Sequence, residues 1–366
     1  MIKSLFMFSA ALGLASSLSA MDSSSVMNPR SVAARLHYGY IIPHSMSIRE
    51  ISYSRPRGFQ IEYSKRLNTQ EAWDRAGCYP KVGLSFYYFD YDNPPILGHS
   101  YTLSGFVEPV FNHRKRLQPS FRMGGGVSYM DKVYHPVKNP ENLFYSHPVS
   151  FYLLINLGIN YQISDLFSVN LAGNYSHISN GRIRQPNKGI NFPTCSFGIE
   201  YHIDPPAFED RLRNKSREDL YGDLFKIDIA AYTARKEANN DGRKFQTYGV
   251  EVTAGYIVSR LSGLNAGMEL THDRSVAYMK SMGKEDNRNP NPTTASCILK
   301  HELFLGSFIF DQTLGIYLNK PYPGSHLTYQ KIGLRYILKR NFNIGLVLKT
   351  HTKTADFVSL NLGYTI

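Results

Sequence analysis

Along much of its length the chain alternates apolar and polar positions at period two, the pattern of half-buried strands. In 167–175, Phe167, Val169, Leu171 and Tyr175 share one face, and Ser168, Asn170, Ala172 and Asn174 share the other. Leu153, Ile155, Leu157, Ile159 and Tyr161 oppose Asn156, Gly158 and Asn160 in the same way. So do Phe342, Ile344, Leu346 and Leu348 against Asn341, Asn343, Gly345 and Lys349. The last segment sets Val358, Leu360, Leu362, Tyr364 and Ile366 against Ser359, Asn361, Gly363 and Thr365. The periodicity predicts about sixteen strands. Turn-rich pieces at 91–99, 135–148, 181–189, 284–294 and 320–325 separate them. Strands of a soluble sandwich average about 5–6 residues. A membrane-crossing strand needs about 9–11, apolar outward and small or polar inward, with aromatic residues at the interfaces. The lengths of these segments match the second description.

The pattern also repeats. Segment 157–171, LGINYQISDLFSVNL, resembles 332–346, IGLRYILKRNFNIGL, without a gap. Gly158 matches Gly333, Tyr161 matches Tyr336, Phe167 matches Phe342 and Leu171 matches Leu346. The halves end alike, FGIEYHI at 197–203 and LNLGYTI at 360–366. Between them, 204–220 is the most charged stretch and reads as a connector carrying a short helix. The expected fold is therefore all-β, an antiparallel transmembrane β-barrel of the outer-membrane type in two related halves of about eight strands. Residues 21–203 form the first half and 221–366 the second. Periodicity leaves open one large barrel or two small ones. Eight strands enclose an interior filled by side chains, whereas sixteen leave a channel.

Composition narrows the class. Of 366 residues, 19% are charged, below the roughly 25% of a soluble domain. Mean hydropathy of −0.30 excludes a helical membrane protein. Cys78, Cys195 and Cys297 supply neither a disulfide framework nor a CxxC metal spacing. Residues 1–20 read as a cleaved secretory signal: Lys3, an apolar run from Leu5 to Leu14, then Ser16, Ser17, Ser19 and Ala20. No Cys follows closely, which argues against a lipoprotein. The chain carries a net charge of +12, which suits anionic lipid headgroups. No nucleic-acid partner is expected, and the oligomeric state stays open.

The chemistry concentrates in 174–191, NYSHISNGRIRQPNKGIN. His177 and Ser179 are two apart on a strand and so point to one face. An imidazole beside a hydroxyl can take its proton and make it a nucleophile. Counting in twos from Phe167 and Leu171 reaches His177 and Ser179, so the pair lies on the apolar, lipid-facing side. A membrane lipid as substrate accounts for that position. On the next strand Phe197, Ile199, Tyr201 and Ile203 share parity with Asn191. If 181–189 is a hairpin loop, Asn191 lies beside the pair and can orient the imidazole, as in Cys-His-Asn sites. Asn180, through its side chain or N–H, and the Gly181 N–H are the candidate oxyanion donors.

HISNG followed by PNKGIN resembles the signature of the lipid A 3-O-deacylase (PagL) family, over about 35–203 and most strongly over 174–201. The family pattern runs H-x-S-N-small, then P-N-x-G-I, then an acidic residue. The resemblance implies an eight-stranded outer-membrane barrel that hydrolyses the ester-linked 3-hydroxyacyl chain of lipid A, with His177 as general base and Ser179 as nucleophile. Asn191 stands where the family has its acidic member. The set is also similar to that of outer-membrane phospholipase A, which uses H-x-S-N-G with an Asn twelve residues past its Ser, as Asn191 is past Ser179. That family requires calcium and dimerises, and no Asp/Glu cluster here demands a metal. The preferred reading is a Ser-His-Asn esterase acting on lipopolysaccharide without a cofactor. The alternatives are a phospholipase-type esterase and a non-catalytic porin or scaffold.

The second half lacks the pair. The ungapped repeat sets Thr352 opposite His177, and His351, on the inward parity, reads as structural. Gly124-Gly125-Gly126 lacks phosphate-loop context and reads as a strand bend. His113, Arg114, Lys115 and Arg116 read as a turn at a membrane edge, with a possible contact to lipid A phosphates.

Overall fold

The computed structural model describes residues 28–205, 208–209, 211–238, 242–281, 290–322, 325–338, 341–352 and 354–366. The expected signal at 1–20 lies outside them, as does most of the turn at 284–294. Sixteen strands form two closed antiparallel barrels. The first consists of β1 (Arg30–Gly39), β2 (Arg57–Arg66), β3 (Lys81–Asp90), β4 (His99–Glu108), β5 (Leu117–Met130), β6 (Val149–Gln162), β7 (Phe167–Ser179) and β8 (Ile190–His202), with β1 paired to β8. The second consists of β9 (Phe225–Glu237), β10 (Lys244–Ser259), β11 (Ser262–Asp273), β12 (Thr293–Leu305), β13 (Phe308–Tyr317), β14 (Thr328–Ile337), β15 (Phe342–His351) and β16 (Thr354–Thr365), with β9 paired to β16. The choice left open by periodicity is thus resolved as two small barrels.

Each barrel is an inverted protein. Leu157 is 67% exposed while its strand neighbour Asn156 is 7% exposed. Leu36, Ile61, Leu103, Ile155, Leu171 and Phe197 are likewise exposed on the first barrel. Tyr38, Tyr101 and Tyr129 ring this band at one end and Tyr63, Tyr161 and Tyr201 at the other. Water disfavours such a surface and hydrocarbon favours it. Closure meanwhile pairs every strand edge, as a hydrocarbon solvent demands.

The interiors are polar and filled. In the first barrel Glu62 accepts from Arg35 at 2.5 Å and from Arg122 at 2.6 Å. Arg122 also pairs with Glu108, and Lys81 with Glu200, each at 2.5 Å. In the second, Lys331 bridges Glu251 and Glu269 at 2.6 and 2.7 Å, and Arg335 joins Asp311 at 2.6 Å and Glu302. These side chains occupy the space an eight-stranded ring encloses, so neither lumen is a pore. Removing one partner of such a pair leaves its mate charged and buried. Glu62→Ala, which strands Arg35 and Arg122 together, is expected to destabilise the first barrel by about 3–5 kcal/mol. A lowered denaturation midpoint in detergent checks this, and an unchanged midpoint refutes it.

The sequence repeat has a structural counterpart. Residues 157–171 run from β6 through a turn into β7, and 332–346 from β14 into β15, the sixth and seventh strands of each ring. Both turns close alike, with Ile163 N–H donating to the Phe167 carbonyl and Leu338 N–H to the Phe342 carbonyl, at 2.9 and 2.7 Å. The barrels then diverge. Ten residues join β7 to β8, whereas β15 ends at His351, which pairs directly with Thr354 at the start of β16.

Among the described residues three short α-helices lie between the strands: α1 (Gln70–Ala76), α2 (Arg217–Tyr221) and α3 (Arg274–Ser281). In α2, at the end of the connector, Ser216 and Asp219 form a reciprocal capping box, and that pairing holds the Asp219 carboxyl below its usual range. No helix among the described residues is long and apolar enough to cross a membrane. By their contacts the described residues fall into two units. One runs to Ser179 and resumes over Gly189–Asn214; the other joins Asn180–Lys188 to Lys215–Ile366.

Candidate active site

The site is built on the β7–β8 hairpin. Leu171 and Tyr175 are exposed on the outer face of β7, and the same parity carries His177 and Ser179. His177 is half-buried and Ser179 is only 6% exposed, so the end of this outward row is covered. The register sets His177 opposite Asn191. Their side chains meet, His177 Nδ1 and Asn191 Oδ1 standing 2.6 Å apart. An amide oxygen can only accept, so the imidazole carries its proton on Nδ1. Nε2 is then the basic nitrogen, the tautomer that a general base for Ser179 requires. The structure therefore brings together His177 and Asn191 and places Ser179 on the same face, two residues along.

Two further residues complete the arrangement, and sequence reasoning assigned neither. His44 lies in the loop after β1. The β1–β8 pairing continues into that loop, with Ile42 N–H donating to the Asn191 carbonyl at 2.8 Å. His44 is thereby carried to the far side of the Asn191 amide, where Asn191 Nδ2 donates to His44 Nδ1 at 3.2 Å. This second bond orients the amide so that its oxygen faces His177. Nothing local in the sequence around His44 signals the contact, because it depends on the extended ladder.

Gly189 is the second. Its φ of +73° lies in the left-handed region, and a Cβ there would sit 2.8 Å from His177 Cε1 and 3.2 Å from Ser179 Cβ. Gly189 N–H donates to the Phe144 carbonyl at 2.8 Å, which holds the glycine against the ring. The glycine of the PNKGI string is thus the backing plate of the pair. Gly189→Ala is expected to displace the imidazole and lower kcat about 100-fold, since a shift of about 1 Å in a catalytic group costs roughly that much. Steady-state assay of the folded variant checks this; wild-type kcat would count against the packing role.

Behind the hairpin, inward-facing Ile178, Ile190 and Phe192 join Tyr87, Phe89, Tyr91, Phe144, Tyr145 and Tyr152 in one buried cluster. Phe192 stacks edge-on against Phe89 and Tyr91 at 5.0 and 5.5 Å between ring centres. Tyr145, in the loop between β5 and β6, donates to the Leu97 carbonyl at 3.0 Å. Burial pushes its phenol well above the usual value, so it remains a neutral donor. This packed plug fixes the backbone that carries His177 and Asn191.

In the segment that follows Ser179, Asn180 N–H donates to Asn187 Oδ1 at 3.1 Å and Asn180 Nδ2 to the Arg184 carbonyl at 2.9 Å. Gly181 is buried, with φ +60°. Of the expected oxyanion donors, the Asn180 N–H is thus already engaged within its own loop.

The other candidates lie elsewhere. The turn at 113–116 joins β4 to β5, at the opposite end of the barrel from the β7–β8 loop. His113, Arg114, Lys115 and Arg116 thus stand a barrel length from the hairpin that carries His177. Gly124, Gly125 and Gly126 lie within β5, in continuous register with Phe106, Gly105 and Ser104. His351 faces Tyr317, with its Nε2 2.9 Å from the phenol oxygen. Where the repeat would place a Ser179 equivalent stands Thr354, at the start of β16.

Residues 57–200 match the family described as lipid A 3-O-deacylase (PagL), and residues 225–366 match acyloxyacyl hydrolase, C-terminal domain. No curated protein matches the chain. Among solved structures it is similar to the outer-membrane enzyme PagL, at 15% identity over 45% of this chain and 97% of that one, with a TM-score of 0.34. Neisserial surface protein A is similar at 11% identity over 47% and 96%, with a TM-score of 0.34. The attachment invasion locus protein Ail of Yersinia pestis is similar at 14% identity over 49% and 100%, with a TM-score of 0.30. The architecture described above stands on the strand pairing of this chain itself.

Proposed function

We propose that this chain, whose residues 57–200 match lipid A 3-O-deacylase and whose residues 225–366 match acyloxyacyl hydrolase, C-terminal domain, removes an ester-linked 3-hydroxyacyl chain from lipid A in the outer membrane of a Gram-negative cell. The observation that carries the reading is the hydrogen-bonded His177–Asn191 pair, on the lipid-facing side of β7 with Ser179 two residues along. A soluble substrate has no reason to be met on that face.

His177 Nε2 takes the hydroxyl proton as Ser179 Oγ attacks the ester carbonyl. Asn191 holds the Nδ1 proton and keeps the ring in line. Negative charge develops on the carbonyl oxygen, and the backbone that follows Ser179 is assigned to face it. Collapse of the tetrahedral species returns the proton from His177 to the leaving sugar oxygen. Water, activated by the same imidazole, then releases the acyl group from Ser179. The products are a free 3-hydroxy fatty acid and an under-acylated lipid A.

Mass spectrometry of lipid A after incubation with the full-length protein tests the reading, with EDTA present because no step uses a metal. Loss of one hydroxyacyl mass is the expected result. Intact lipid A together with calcium-dependent cleavage of phospholipid would replace the deacylase by a phospholipase.

A further inference from the structure

Asn191 stands where the lipid A 3-O-deacylase pattern has an acidic residue, and the two groups differ in one respect. A carboxylate has two like oxygens, so either end accepts the Nδ1 proton of an imidazole. An amide has one accepting end and one donating end. Turned by half a rotation, Asn191 would present its Nδ2–H to His177. Nδ1 would then have to accept, the ring proton would sit on Nε2, and Nε2 would no longer be the base that Ser179 needs. The two orientations have nearly the same shape, so hydrogen bonds rather than packing choose between them.

His44 supplies the bond that chooses. Asn191 Nδ2 donates to His44 Nδ1 at 3.2 Å, on the opposite side of the amide from the 2.6 Å contact between Oδ1 and His177 Nδ1. His44 is held in place for it. Tyr40 N–H donates to the Pro193 carbonyl at 3.2 Å and Ile42 N–H to the Asn191 carbonyl at 2.8 Å, which carries the β1–β8 pairing to within two residues of His44. On either side of it, Ile41 and Ile48 are buried in the cluster that also holds Ile178, Ile190 and Phe192. Ser52 Oγ donates to the Ile48 carbonyl at 2.6 Å and fixes the segment that follows. His44 and the strands that carry His177 and Asn191 thus share one support, and all of these residues belong to one compact unit.

Resting on the deacylase reading above, we propose that His44 is a positioning residue for the reaction. By accepting from Asn191 Nδ2 it keeps the accepting end of the amide on His177, and so keeps the imidazole proton on Nδ1. His44 is what allows a neutral amide to stand in the place of an acidic residue.

The test uses the full chain in detergent, comparing wild type, His44→Ala, His44→Asn, and His44→Ala made in an Asn191→Asp background. Two readouts are taken. One is kcat and KM for hydroxy-acid release from lipid A. The other is nitrogen NMR of ring-labelled histidines, which tells which nitrogen of His177 carries the proton and needs no activity. A neutral hydrogen bond is worth a factor of about 2–10, so His44→Ala is expected to lower kcat about 3- to 10-fold with KM within about twofold. The fraction of His177 protonated at Nδ1 is expected to fall in step. His44→Asn sets an amide oxygen near the place of Nδ1 and is expected to recover most of both. In the Asn191→Asp background either oxygen serves, so the loss on His44→Ala is expected to shrink below about twofold. Wild-type kcat in His44→Ala overturns the proposal. A lowered kcat with the His177 proton unmoved overturns it too, since the effect is then general loosening, and so does an equal loss in the Asn191→Asp background. If wild type itself leaves lipid A intact, the deacylase reading falls, while the His177 proton in His44→Ala still decides whether His44 orients the amide.

Discussion

Ser179→Ala is expected to abolish hydroxyacyl release from lipid A while the protein remains folded. Knocking out the nucleophile of a serine hydrolase typically costs about 10⁶ in kcat, and a fall of at least about 10³ is expected here, where the orienting group is neutral. Ser179 ends β7 on the same parity as the outward Leu171 and Tyr175, while Arg35, Glu62 and Arg122 hold the interior network together. Mass spectrometry should show intact lipid A with the variant beside a product lacking one hydroxyacyl chain with wild type. Circular dichroism and the denaturation midpoint should coincide for the two. Equal release with both would remove Ser179 from the chemistry, and intact lipid A with both would return the chain to a non-catalytic barrel.

Substitutions at Asn191 are expected to move the rate in opposite directions. Asn191→Ala deletes the acceptor at 2.6 Å from His177 Nδ1 and lets the imidazole turn or exchange its proton. In a serine triad the wrong tautomer costs about 10⁴, so a fall of about 10³ in kcat is expected, with KM little changed. Asn191→Asp places a charge against the imidazolium that forms during attack. A hydrogen bond to a charged group is worth about 1 kcal/mol more than a neutral one, so kcat is expected to rise roughly fivefold. Single-turnover kinetics on both variants, with pH profiles, checks this. An alanine variant within twofold of wild type would deny Asn191 its orienting role.

Much of the architecture was legible because one force wrote it. Lipid outside and a polar lumen inside impose period two on every strand, so Leu153 to Tyr161 and Phe342 to Leu348 declare their faces without a structure. The repeat at 157–171 and 332–346 foretold two equivalent hairpins, and their turn hydrogen bonds match. It did not foretell closure. Whether the first strand of each half meets the eighth depends on long-range pairing such as Arg35 to Gly198, which leaves no local mark. At the site, His177, Ser179 and Asn191 were readable from parity and loop length. Gly189 stood inside a quoted string without a role, since a positive φ is not written in a letter. His44 was invisible, because only the extension of the β1–β8 ladder past Gly39 carries it to Asn191.

The closure of each ring on its own first and last strands also bears on the order of assembly. Residues up to His202 supply every strand of the first ring, so it can be sealed as soon as β1 finds β8. Pairings across so long a stretch of chain are slow to form, and each ring has one such event, independent of the other. A molecule halfway through maturation would then hold one sealed ring, with the strands of the other still unpaired.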